Sequence, residues 1–156
     1  MSALLNQIPG AGFAMAAAPL ANLVTLRRTG ERPLSFEGVE VCSAMSYTSG
    51  TPLWYEINVY RTVAESFIAN VRMFTKSDND KDRYSAYEAS SFDEALFWLE
   101  NYNPDEDIRA DLPIDSNEIS IVELGLKAAA VRMRLSDARR QYKDLLGEIL
   151  FAVEGI

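Results

Sequence analysis

The chain has 156 residues, with 15 Lys+Arg against 23 Asp+Glu, a formal net charge of −8, a single Cys and no His. Without His there is no imidazole base or imidazole metal ligand, and Ser-His-Asp and Cys-His catalysis are excluded within the chain. The negative balance opposes non-specific binding to a phosphate backbone, which needs Lys and Arg. A content of 48% apolar and 24% charged residues is that of an ordinary globular domain.

No charged side chain occurs before Arg27. A secretory signal would carry Lys or Arg near its start. The apolar run 8–21 is interrupted by Pro9, Gly10, Gly12 and Pro19, and a membrane span needs about 20 unbroken residues. The expectation is a cytoplasmic protein without a membrane span. Its first segment, residues 1–33, reads as an apolar arm followed by the polar connector Arg27–Pro33. Leu4, Leu5, Ile8 and Phe13 would plug the arm against its own domain, a partner chain or a lipid surface, since an exposed apolar patch marks an interface.

Four segments then alternate with period 2 and are rich in aromatic and β-branched residues: Phe36–Tyr47, Leu53–Thr62, Phe67–Thr75 and Arg83–Ala89. The turns between them suit hairpins, so they predict an antiparallel four-stranded meander. Cys42, within the first, reads as a small buried hydrophobe. The second face of the sheet carries Trp54, Tyr60, Ile68 and Phe74 among polar residues, too aromatic to be left wet. Ser91-Phe92-Asp93-Glu94 is a capping box, and a short helix follows to about Asn101, stopped by Pro104. The fold class is α+β. Residues 34–118 form the sheet, the short helix and an acidic loop, and residues 119–156 form a long helix.

That helix opens with a second capping box, Ser120-Ile121-Val122-Glu123. Apolar or small residues recur from Ile121 through Leu135, Ala138, Tyr142, Leu145 and Ile149 at spacings alternating between 3 and 4, the pattern of a helical seam. Its flanks carry Lys127, Arg132, Arg134 and Arg139, which disfavours a parallel pair of identical seams and asks for an acidic neighbour. Residues 85–125 supply one, with eleven acids against Arg109. The seam folds back on this acidic stretch, docks on an acidic helix of another protein through Leu135, Tyr142, Leu145 and Ile149, or forms a self-assembly that tolerates the repulsion. Within the stretch, Asp105, Glu106, Asp107, Asp111 and Asp115 are expected to form an acidic surface.

Asp78-Asn79-Asp80-Lys81-Asp82 starts like a calcium loop, but Arg83 and Ala89 stand where that motif requires Gly and Glu, so it reads as a solvated turn. No metal site, cofactor motif or catalytic residue is predicted. The functional expectation is a non-catalytic interaction subunit or adaptor of a hetero-complex, with no direct contact to nucleic acid. The alternative is an acidic inhibitor that mimics nucleic acid and fills a basic groove, as a phage-type anti-defence protein would.

Overall fold

The computed structural model describes residues 20–78, 80–109, 112 and 118–154. The arm residues Leu4, Leu5, Ile8 and Phe13, and the acids Asp111 and Asp115, lie outside the described residues. Five antiparallel strands form one sheet in sequence order: β1 (Asn22–Leu26), β2 (Leu34–Met45), β3 (Leu53–Thr62), β4 (Phe67–Thr75) and β5 (Arg83–Ala89). Helix α1 (Phe92–Glu100), a single 3-10 turn (Pro104–Asp107) and helix α2 (Ile121–Glu154) follow.

The α+β class holds, with five strands rather than four. The additional strand, β1, lies within the segment expected to be arm and connector. Asn22–Leu26 pairs with Leu34–Gly38, and the intervening polar stretch is a hairpin loop in which Gly30 takes φ +77°, a backbone state open to glycine at little steric cost. The hairpin therefore crosses the expected boundary at residue 33.

The parity of β2 also differs from the simple alternation. A bulge between Glu40 and Cys42 shifts the register against β3. Beyond it Cys42 and Ala44 stand opposite Val59 and Ile57 and pack on the core, while Val41 and Met45 are exposed. One extra residue exchanges the faces of everything after it. Burial, and next the charge of Glu40, push the Cys42 thiol above its ordinary pKa, consistent with a packing role.

The main core lies between one sheet face and the two helices. Leu53, Tyr55, Ile57 and Val59 of β3 and Ala69, Val71 and Met73 of β4 meet Ala95 and Leu99 of α1, with Ala138, Tyr142, Leu145 and Ile149 of α2. Ser91 caps α1 by accepting a hydrogen bond from Glu94 N–H at 3.1 Å. The return bond is displaced by one residue, because Glu94 Oε1 accepts from Ser90 N–H at 2.6 Å rather than from Ser91.

The opposite face is closed by the curl of the sheet itself. Thr29, just past β1, donates its N–H to Tyr84 O of β5 at 2.8 Å and accepts the Tyr84 N–H on its own hydroxyl at 2.8 Å. Ile68 and Leu26 of this face are buried although neither α1 nor α2 packs on it. A polar chain crosses the same face. Arg72 donates to Glu56 at 2.8 Å and to Asn58 at 2.9 Å, and Asn58 donates to Glu40 at 2.5 Å. Trp54 stacks on Phe74, and Phe36 meets Tyr60 edge-on. The curl demands close backbone approach at Gly38, where a Cβ would stand 2.5 Å from Arg61 O.

Candidate functional site

Two places in the molecule gather unusual chemistry. One is the acidic turn after α1, the other the first half of α2.

Asn103 accepts a hydrogen bond from Asp105 N–H at 3.1 Å and starts the 3-10 turn, with Pro104 fixing its first residue. This turn swings Asp107 inward. Its carboxylate is 3% exposed and accepts hydrogen bonds from Tyr55 Oη at 2.6 Å and Tyr102 Oη at 2.8 Å, with Arg83 3.9 Å away. Tyr142 packs edge-on against Tyr55 and donates its hydroxyl to Leu99 O at 2.5 Å. Burial pushes the Asp107 carboxyl above the usual carboxylate range, against the pull of the two phenol bonds and Arg83. Burial, and next the Asp107 charge, push all three tyrosine hydroxyls well above their ordinary pKa. A carboxylate saturated by two such phenols is a structural tie. It is not an exposed acid, so Asp107 leaves the expected acidic surface.

Its neighbours divide. Asp105 is clamped by Arg139 of α2 through two bonds of 2.6 and 2.9 Å, which hold its carboxyl below the usual range. Glu106 is exposed. Asp80, in the turn read as solvated, is buried 2.9 Å from Arg134 Nε and accepts Arg109 N–H at 3.1 Å. The Asp80–Arg134 contact is an ion pair without the alignment of a hydrogen bond. Among the described residues, no group of three or more His, Cys, Asp or Glu side chains stands where it could hold a metal ion.

These contacts also decide where the seam goes. Two residues of the basic flank fold back on acids, Arg139 on Asp105 within the acidic stretch and Arg134 on Asp80 before it, and the second half of the apolar seam goes with them. Tyr142, Leu145 and Ile149, expected to anchor a partner, are buried against the sheet of their own chain, and Leu135 is half-buried on the same core. Gln141 locks the arrangement: it donates to Leu53 O at 2.7 Å and accepts the Ser46 hydroxyl at 2.7 Å. The sheet offers an apolar face to the second half of the helix, so the 3-4 spacing from Leu135 onward is satisfied internally.

Among the described residues, a different surface of α2 is left exposed. Val122, Leu126 and Met133 are 73, 66 and 73% exposed, with half-buried Ala129 between them. Their spacing of 4, 3 and 4 residues puts them on one side of α2. Val131, Ala138, Tyr142 and Leu145 face the sheet from the opposite side. Ile121, the first residue of the expected seam, is also exposed, because α2 begins beyond the sheet it packs on. A helix that is apolar on two opposite sides is normally covered on both. A groove of about 500 Å³, walled by Pro52, Leu53 and Met133 with Asp80 and Arg134 at its edge, adjoins the stripe at Met133. The signal for this surface was present in the sequence as a second 4-3-4 spacing, masked by the longer and more regular seam behind it.

No helix among the described residues is long and apolar enough to cross a membrane. Comparison with protein-family models, characterised proteins and solved structures yields no match.

Proposed function

We propose that this chain is a non-catalytic interaction protein that docks through the outward side of the first half of α2. One observation carries the reading: Val122, Leu126 and Met133 form an exposed apolar stripe on a helix whose other side is already committed to the core. Such a stripe costs solubility unless something covers it. The polar centre around Asp107 supports the non-catalytic part, since its acid is held by two phenols deep in the fold and, among the described residues, no second carboxylate shares it to form an acid–base pair. The acidic-mimic alternative loses ground for the same reason. Asp107 is buried and Asp105 is occupied by Arg139, which leaves Glu106 alone of the three fully exposed.

The test is co-purification of the tagged chain from its native cells, beside a Leu126→Asp variant. The expected result is that companions of the wild-type chain disappear from the variant, while its far-UV CD is unchanged. Companions retained by the variant would refute the stripe as the docking element.

A further inference from the structure

The stripe has flanks, and their charges specify an occupant. With Val122 and Ala129 at one kind of seam position and Leu126 and Met133 at the other, the adjoining positions on one side are Glu123, Ala130 and Asp137. Those on the other side are Gly125, Arg132 and Arg139. One flank is acidic and the other basic. When two copies of such a helix lie side by side in the same direction, each basic flank meets the acidic flank of its neighbour, five residues further on. Arg132 of one copy then faces Asp137 of the other, an acid whose contacts within its own helix are the exposed Arg140 and the Gln141 amide, which donates to it at 3.2 Å. Gly125 faces Ala130, the two smallest side chains at the closest approach. In the opposite direction like flanks meet, acid on acid. This is the reverse of the inner seam, whose flanks at Lys127, Arg132, Arg134 and Arg139 oppose a parallel pair.

We propose that the outward stripe of α2 pairs with the same stripe of a second copy of this chain, helices parallel. The inference rests on the docking reading above and names its partner. Three further features agree with it. Arg132 is exposed and forms no ion pair among the described residues. Gly125 faces open space, with no atom beyond its own stretch of helix within 4 Å of where a Cβ would stand. The sheet and α1 lie behind the helix, on the side of Val131, Ala138 and Leu145, so the bodies of two copies would sit on opposite sides of the pair. The seam ends at Met133. Ser136 and Arg140 follow on the stripe, and there the helices must part, so the pair is short and its formation depends on concentration.

Light scattering after size exclusion, across a dilution series, provides the test. Wild type is expected to move from monomer to dimer. Arg132→Asp, which sets one carboxylate against another at Asp137, should weaken the dimer by about tenfold, and adding Asp137→Arg should restore it. Direction is read separately. In a Cys42→Ser background, Val122→Cys should oxidise to a covalent dimer, because a parallel pair brings the two 122 positions within disulfide reach. An antiparallel pair separates them by about 16 Å, the rise over eleven residues. A dimer that does not cross-link at 122, or is insensitive to the charge swap, overturns the parallel pair. A wild-type chain monomeric at every concentration overturns self-pairing. In that case, loss of cellular companions from Leu126→Asp would leave the docking reading standing, and their retention would remove both.

Discussion

Replacing Leu145 by Ala separates the two sides of α2 energetically. Leu145 is 0% exposed and belongs to the cluster that joins α2 to Tyr55 and Ile57. The substitution removes three buried carbons. At about 0.8 kcal/mol for each, the transfer loss is about 2.4 kcal/mol, and the cavity left between helix and sheet raises it to about 3–4 kcal/mol. For a domain of this size, each kcal/mol corresponds to about 2–4 °C in Tm, so Leu145→Ala should lower Tm by about 10 °C. Leu126 is 66% exposed on the other side of the same helix. Leu126→Ala forfeits at most about a third of the transfer term, and the higher helix propensity of Ala offsets part of that, so its cost should stay below about 0.8 kcal/mol. Urea unfolding, followed by far-UV CD and Trp fluorescence in dilute solution, measures both variants. Equal losses, or the larger loss at Leu126, would refute the assignment of Leu145 to the core and Leu126 to the surface.

Other consequences are as specific. Gly38→Ala should destabilise by about 1–3 kcal/mol, because its Cβ would stand 2.5 Å from the carbonyl oxygen of Arg61 in the neighbouring strand; a neutral result in the same urea assay would mean that β2 and β3 separate freely. Folding raises the Asp107 carboxyl, so the native state keeps that proton to higher pH than the unfolded chain. The associated stability is full below the ordinary carboxylate pKa of about 4 and is lost as pH rises through the folded value. Asp107→Asn should therefore flatten the fall in stability above about pH 4, read from unfolding midpoints at a series of pH values; an unchanged slope would assign the fall to another group. Ser91→Ala should cost about 1 kcal/mol through loss of the α1 cap, and an unchanged Tm would show that Ser90 and Glu94 suffice.

Local signals in the sequence carried far where the physics is local. The bounds of β3, β4 and β5 follow from period-2 alternation between turn residues, and both helix starts follow from Ser at the N-cap. What was illegible is non-local. β1 is five residues long, with Leu23 exposed, and only its pairing with Leu34–Gly38 makes it a strand. The bulge at Glu40/Cys42 carries no residue signature, yet it sends Cys42 and Ala44 to the core and turns Met45 outward. Asp80 and Asp107 look like solvated acids in polar turns until the fold brings Arg134 to one and two tyrosines to the other. The seam of α2 was readable as a seam, but not its occupant. A sheet face of the same chain and a foreign helix impose the same spacing.

The tie between Thr29 and Tyr84 has a dynamic consequence. The hairpin loop after β1 meets β5 through Thr29 and Arg27 on Tyr84 rather than through a ladder, so the β1–β2 hairpin can lift from β5 while β3, β4 and both helices keep their packing. Openings that break few bonds have low free energy and cluster in contiguous units. The amide hydrogens of Thr29 and Tyr84, which bond across this tie, should thus exchange with solvent together and early, well before those of Ile57, Val59 and Val71. Each such excursion would bring Ile68 and Leu26, buried in the closed state, into contact with water, making this hairpin a place where proteolytic nicking or strand exchange can start.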